Sequence, residues 1–196
     1  MNSFRLIQNP APMDHAARWP EQMAYPDYPI ERQVRSNAHD FQLAFAEEAA
    51  TRLHERFDDA LLEASRTGLR ILARHEQALK PPTDAVKALY PWQLEVGIPR
   101  VRCWEGDVTR EPIMFVRVKV PRRYAEVIRK DLAERTSRPI GYEHAYDKTE
   151  VTATARLAQL LGYAESLDTF TRGTCDVRIS LSEYAPIEPP SGPEAA

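Results

Sequence analysis

Residues 111–121 read EPIMFVRVKVP and decide the fold of the C-terminal part of this chain. From Val116 to Val120, apolar residues alternate with charged ones, a period of two that predicts a β-strand. Pro121 has no backbone N–H to extend the strand, so we expect the strand to end there. From Arg122 to Ala133 apolar residues recur at three- and four-residue steps, which predicts a helix directly after the strand.

Further elements follow downstream of this pair. Residues 140–145 and 150–155 are compatible with two strands joined by a polar turn, and Leu157 to Ala164 has helical spacing. Alternation from Cys175 to Leu181 predicts a last strand. The order βαββαβ predicts an α+β, ferredoxin-like domain, in which two helices cover one face of an antiparallel four-stranded sheet.

Upstream, apolar residues recur at three- and four-residue steps from Asp40 to about Leu79, which predicts a long amphipathic helix. Asn37 or Asp40 could cap it, and Pro81-Pro82 would end it. Unbroken, it would be about 60 Å long. Either Gly68 interrupts it, or its apolar stripe packs on its own chain or on a second copy, giving a homodimer through the helix 40–79.

The prolines suggest the boundaries between regions. They predict an extended proline-rich segment over 1–38 and a flexible tail over 186–196. Between these lie a helical region with a short strand-containing connection over 39–110 and the ferredoxin-like domain over 111–185. The first segment carries Trp19, Tyr25 and Tyr28, so it either packs on the folded body or is disordered. Arg100 to Trp104 alternates as an edge strand would.

Composition excludes several classes of protein. The chain has 196 residues and a net charge of -3, and its seven glycines are too scattered to form a phosphate-binding loop, so we expect no nucleotide. Cys103 and Cys175 have no companion for a metal or disulfide site and read as strand residues. The five histidines form no metal motif. We therefore expect no catalytic residues, no cofactor and no metal. Without a signal peptide or a membrane-spanning run, we expect a cytoplasmic protein.

Several short motifs, in order, resemble the C-terminal domain, domain V, of bacterial elongation factor G. The motifs cover about residues 111 to 188, roughly 40% of the chain. They are Glu111-Pro112-Ile113-Met114, Val120-Pro121 with Tyr124, Leu161-Gly162-Tyr163-Ala164, Leu167, Thr171-x-Gly173 and Ser182-x-Tyr184-x-Pro186. The resemblance implies a module that packs on ribosomal RNA near the factor-binding centre of the ribosome. It carries over no GTPase, because the nucleotide domain of the family has no counterpart in this sequence.

Local charge suggests where such a module would bind. Residues 113–156 contain ten basic and six acidic residues, a net charge of +4, whereas residues 157–196 contain two and six, a net charge of -4. A few well-placed cations suffice to contact phosphates. The candidates for RNA or partner binding are Arg122, Arg123, Arg135, Arg138, Lys148 and Arg172.

The sequence departs from the family at Asp168, Thr174 and Glu183, and each change removes positive or hydrogen-bond-donating character. Two functions therefore stay open. The first is a non-enzymatic binding protein that engages the ribosome or a translation factor through the domain V-like module. The second is a protein-interaction or oligomerisation module that has kept the fold but lost ribosome binding.

Overall fold

The computed structural model describes residues 23–38, 41–54, 56–91, 94–136, 141–145 and 147–187. These residues form two consecutive units that share the element order βαββαβ. In both units the second strand is followed across the sheet by the third, the first and the fourth, and all these neighbours are antiparallel. This order defines the ferredoxin-like arrangement.

The C-terminal unit confirms the ferredoxin-like prediction made from its sequence. Its elements are β6 (Arg110–Pro121), α3 (Arg122–Arg135), β7 (Gly141–Ala145), β8 (Lys148–Arg156), a 3₁₀ turn (Leu157–Gln159), α4 (Tyr163–Thr171) and β9 (Asp176–Pro186). The strand ends at Pro121 and the helix follows at once, as expected. Alternate residues of β6, Val116, Val118 and Val120, are fully buried, as are Ile128 and Leu132 of α3. They build the core between the sheet and its helices.

The N-terminal unit precedes it and was not foreseen as a domain. Its elements are β1 (Ile30–Ser36), α1 (Gln42–Arg52), β2 (Ala60–Ser65), β3 (Gly68–Ala73), a 3₁₀ turn (Glu76–Leu79), α2 (Lys80–Leu89), β4 (Leu94–Val96) and β5 (Arg100–Val101). Both β4 and β5 pair with β1 and form one interrupted edge of the sheet. Its core holds Val34, Phe45, Leu53, Leu69 and Ile71.

The long helix predicted over 40–79 is wrong. Its first part is real, since α1 buries Phe45 and Ala49, but β2 and β3 then form a hairpin at residues 60–73. A Cβ at Gly68, whose φ is +126°, would lie 2.5 Å from the Val34 carbonyl oxygen, so this position requires glycine. Pro81 and Pro82 lie in the first turn of α2, where proline is tolerated, and begin a helix where an end was expected.

Two further predictions change with this unit. The extended segment over 1–38 contains β1, which is a central strand, so the boundary at residue 38 falls inside the first unit. The predicted homodimer through the helix 40–79 depended on this helix, which does not form. Of the edge strand predicted over Arg100–Trp104, only Arg100–Val101 forms a strand, β5, and Trp104 forms an isolated bridge with Arg110.

The two units touch each other at defined points. The backbone N–H of Gly162, at the start of α4, donates to Oε2 of Glu76 in the first unit at 2.6 Å. The Tyr184 hydroxyl on β9 donates to the carbonyl oxygen of Pro26 at 2.9 Å. Residues 24–29, which precede β1, therefore contact the second unit.

Candidate functional site

Four of the predicted cations meet at one end of the C-terminal unit, which we call the basic end: Arg122, Arg123, Lys148 and Arg172. The sheet register explains this meeting, because Pro121 at the end of β6 lies opposite Lys148 at the start of β8. Arg122 follows directly, and its N–H approaches the carbonyl oxygen of Asp147 at 3.4 Å. Arg172 ends α4 just before β9, whose first residue, Asp176, pairs with Lys119 of β6.

Two aromatic side chains lie at the same end. The rings of Tyr124 on α3 and Phe170 on α4 meet edge to face, with 5.4 Å between centroids. The guanidinium of Arg123 lies 4.9 Å from the centroid of the Tyr124 ring. Phe170 is 48% exposed, so a large apolar ring stands in solvent beside the cations. Cations next to exposed aromatic rings are the combination that binds phosphates and stacks unpaired bases.

The start of α3 adds positive potential to this end. Pro121 provides no side-chain cap, and the first turn contains no acidic residue. The amino-terminal dipole charge is therefore not neutralised locally, and Arg122 and Arg123 add to it. Within the described part of the chain, neither arginine forms an ion pair, nor do Lys148 and Arg172.

Most other cations of this unit are engaged. Lys119 and Arg117 both reach Glu150, at 3.3 and 3.2 Å, and Arg129 pairs with Glu126 at 2.7 Å. Glu150 thus offsets part of the charge of its two partners on the open face of the sheet, and Glu126 offsets Arg129 on α3. By contrast, the four cations of the basic end have no ion-pair partner among the described residues.

Arg135 lies at the opposite end of α3 and serves the fold. It binds Asp131 at 3.1 Å, donates to the carbonyl oxygen of Gln159 at 2.8 Å and lies 4.7 Å from the ring centroid of Tyr163. Its side chain therefore connects α3 to the start of α4. Arg138, the remaining candidate, lies outside the described residues.

Acidic side chains lower the positive charge of the basic end. Asp147 and Asp176 are exposed there, and Asp168 precedes Arg172 by one helical turn. Thr174 donates its hydroxyl to the carbonyl oxygen of Thr171 at 2.6 Å, which closes the turn after α4. Two departures from the family, Asp168 and Thr174, thus lie beside Arg172, whereas Glu183 lies opposite Ile113 towards the other end of the sheet.

No alternative site of catalytic type is assembled in the described residues. They contain no group of three or more metal-ligating side chains, and both cysteines are free. Burial, with Glu111 and Glu105 nearby, raises the pKa of the Cys103 thiol, which opposes the formation of a reactive thiolate. No described helix is long and apolar enough to cross a bilayer.

The sequence did not identify Phe170 as a candidate. Its position beside the cations depends on a contact between Tyr124 and Phe170, which are 46 residues apart in sequence, and a lone phenylalanine in a short helix gives no local signal. Arg102 was also missed, because the alternation in residues 100–104 suggested only a charged strand edge. In the structure the Arg102 side chain is nearly buried among backbone carbonyls.

Comparison with known proteins identifies what this unit resembles. Residues 108–191 match the family model of the elongation factor G C-terminus. Elongation factor G-1, mitochondrial, of Arabidopsis thaliana is 28% identical over 80 residues, 41% of this chain and 11% of that protein. Ribosome-releasing factor 2, mitochondrial, of Mus musculus is 32% identical over 148 residues, 66% of this chain and 19% of that protein.

The likeness extends into the first unit. The mouse alignment covers two thirds of this chain, more than the stretch from residue 108 to the end can hold. A crystal structure of a Thermus thermophilus protein has a TM-score of 0.59 at 15% identity, covering 85% of this chain and 42% of that one, which shows a shared fold over both units. The chain spans between a tenth and a fifth of the length of these curated relatives. By name the relatives are an elongation factor and a ribosome-releasing factor, and residues 108–191 match the C-terminal domain of elongation factor G.

Proposed function

We propose that this chain is a non-enzymatic binding protein that engages the ribosome, or a translation factor on it, through the basic end of its C-terminal unit. One observation carries the proposal: the unit that matches the elongation factor G C-terminus has, at a single end, four cations without an ion pair among the described residues and an exposed aromatic ring. Ribosomal RNA near the factor-binding centre offers the phosphates and unpaired bases that such an end would contact.

The chemistry of the proposed contact is electrostatic and needs no reaction. Each phosphate that a cation neutralises releases a counterion, so binding weakens as salt rises. Arg122 and Arg123 at the start of α3 are the main contacts, and Lys148 on the neighbouring strand extends the surface. Phe170 supplies a stacking face. The matched family region is the C-terminus alone, and the proposal assigns no nucleotide hydrolysis to this chain.

Co-sedimentation of the full chain with 70S ribosomes and with separated subunits tests the proposal. At about 50 mM salt we expect association that falls steeply by about 200 mM. Arg122→Glu with Arg123→Glu should weaken binding at least about tenfold and flatten the dependence of log K on log salt by roughly 1.5, since each lost phosphate contact removes a little under one unit of slope.

A matched control separates position from total charge. Arg66→Glu with Lys87→Glu changes the net charge by the same amount on exposed residues of the first unit. We expect it to bind ribosomes almost as tightly as the unaltered chain. Equal losses in both variants would show that overall charge, and not the basic end, governs binding.

The second function, a protein-interaction module that no longer contacts the ribosome, predicts a different result. The acidic groups at Asp147, Asp168 and Asp176 beside the basic end are the feature that favours it. Absence of ribosome association at about 50 mM salt, together with no capture of elongation factor G, would reject the proposal in favour of this alternative.

A further inference from the structure

Arg102 forms several hydrogen bonds to the backbone of residues 24–29, which we call the strap. The side chain of Arg102 donates to three backbone carbonyl oxygens: Nη1 to Tyr28 at 2.7 Å and to Tyr25 at 3.1 Å, and Nη2 to Ala24 at 2.8 Å. The backbone N–H of Arg102 donates to the carbonyl of Pro29 at 2.8 Å. The planar fork of arginine suits such multiple contacts, and lysine could not reproduce them.

The strap adopts a backbone that a free peptide would avoid. Tyr25 has a φ of +59°, in the left-handed region that a bulky residue rarely occupies. Its ring meets that of Tyr28 edge to face, with 6.5 Å between centroids, and the guanidinium of Arg74 lies 5.5 Å from the Tyr28 ring centroid. Such a conformation persists only where the surroundings impose it.

The strap also joins the two units. On one side, Arg102 lies 3.9 Å from Glu31 of β1, at the face of the first sheet that its helices leave open. On the other side, the hydroxyl of Tyr184 on β9 donates to the carbonyl of Pro26 at 2.9 Å. Tyr184 is only 7% exposed, so this contact lies within the junction and not on the surface.

We propose that the strap is a latch that fixes the orientation of the C-terminal unit relative to the N-terminal unit, with Arg102 and Tyr184 as its two anchors. The bond between Glu76 and Gly162 forms a separate attachment. Two attachments prevent pivoting, whereas one allows it. Release of the strap therefore frees the second unit to turn about the bond between Glu76 and Gly162 and the connection between β5 and β6, and so changes how the basic end is presented.

Distance measurement between spin labels tests the latch in the full chain. Labels at Lys87→Cys and Lys130→Cys, both exposed, report on the two units, in a background with Cys103→Ser and Cys175→Ala. We expect one narrow distance distribution. Arg102→Met and Tyr184→Phe should each broaden it, and hydrogen exchange of peptides that contain the strap should accelerate at least about tenfold.

Arg66→Met is the matched control, since Arg66 lies exposed on the turn between β2 and β3. We expect it to leave both measurements unchanged. A broad distribution in the unaltered chain, or an unchanged one in Arg102→Met and Tyr184→Phe, would overturn the latch. If Arg102→Met fails to fold, Tyr184→Phe, which removes one hydroxyl, decides the question alone. Neither readout involves ribosomes, so this test is independent of the proposed binding function.

Discussion

Replacing Glu76 by alanine should weaken the attachment between the two units. Its carboxylate accepts the N–H of Gly162 at 2.6 Å, directly before the first turn of α4. Gly162 has no side chain with which to cap this helix. Glu76 therefore provides, from the other unit, the acceptor for the N–H of the cap residue that a Glu or Gln in the first turn provides in a capping box.

The expected loss follows from the geometry. A hydrogen bond to a charged group contributes about 1.5–3 kcal/mol, and an anion at a helix start about 0.3–1 kcal/mol. Glu76 and Gly162 are both half-buried, so solvent screens part of these contributions. We expect Glu76→Ala to lower the free energy of unfolding by about 1–2 kcal/mol.

Urea denaturation monitored by circular dichroism measures this loss. Glu165→Ala is the control, because Glu165 is exposed in the first turn of α4 and acts through the helix dipole alone. It should cost at most about 0.5 kcal/mol. Glu76→Gln keeps an acceptor without the charge, so its loss of free energy should lie between those of Glu76→Ala and Glu165→Ala.

The unfolding curve should also change shape. If the bond couples the units, its loss should let them unfold in two separate transitions, which reduces the apparent m-value. Equal destabilisation by Glu76→Ala and Glu165→Ala would refute the reasoning, because it would mean that the contact between units adds nothing to a general dipole effect.

Two further predictions concern glycine and tyrosine positions. Gly68→Ala should destabilise the first unit by about 2–4 kcal/mol, because the new Cβ would clash with the Val34 carbonyl oxygen and the φ is unfavourable for alanine. Gly162→Ala should cost only about 1 kcal/mol, because its φ of +74° is unfavourable but no atom lies near the new Cβ. Urea midpoints of the two variants would contradict this if their order were reversed. Burial raises the pKa of Tyr184 to about 12 and that of Tyr163 above the usual range, so both bind their protons more tightly when folded than when unfolded. Stability should therefore be complete below about pH 10 and fall above it, and Tyr163→Phe should reduce this fall in urea titrations between about pH 9 and pH 11; an unchanged slope would contradict the assignment.

The second unit was predictable from sequence because each of its elements carries its own signal. Alternation in β6, the stop at Pro121 and helical spacing in α3 are local patterns, and their order leaves few possible folds. The helix predicted from Leu157 begins later, at Tyr163, after a 3₁₀ turn. The difference is small, because Leu157 and Leu160 are buried in either geometry.

The first unit was not predictable in the same way, because the apolar residues of its first helix and of the hairpin after it together follow one helical spacing. Phe45, Ala49 and Leu53 form a true helical stripe, and the apolar residues of the following hairpin happen to continue it in step. Only the turn at Gly68 and the position of Pro81 distinguish the two structures. A proline pair reads equally well as an end or as a start, and the tertiary contacts of the hairpin decide between these possibilities.

The candidate site shows the same division between local and long-range information. The sequence identified the cations. It could not show which of them lie at the same end of the unit, because this depends on strand register and on the direction of α3. Register brings Lys148 to Arg122, whereas the length of α3 takes Arg135 to the far end, where it holds Tyr163. Charge counted along the chain thus pointed to the C-terminal unit, and the fold shows which of its cations lie at one end. If the basic end binds as proposed, Arg135→Gln should lower the free energy of unfolding with little effect on the salt dependence of binding. Lys148→Gln should instead reduce the salt dependence of binding with little effect on the free energy of unfolding.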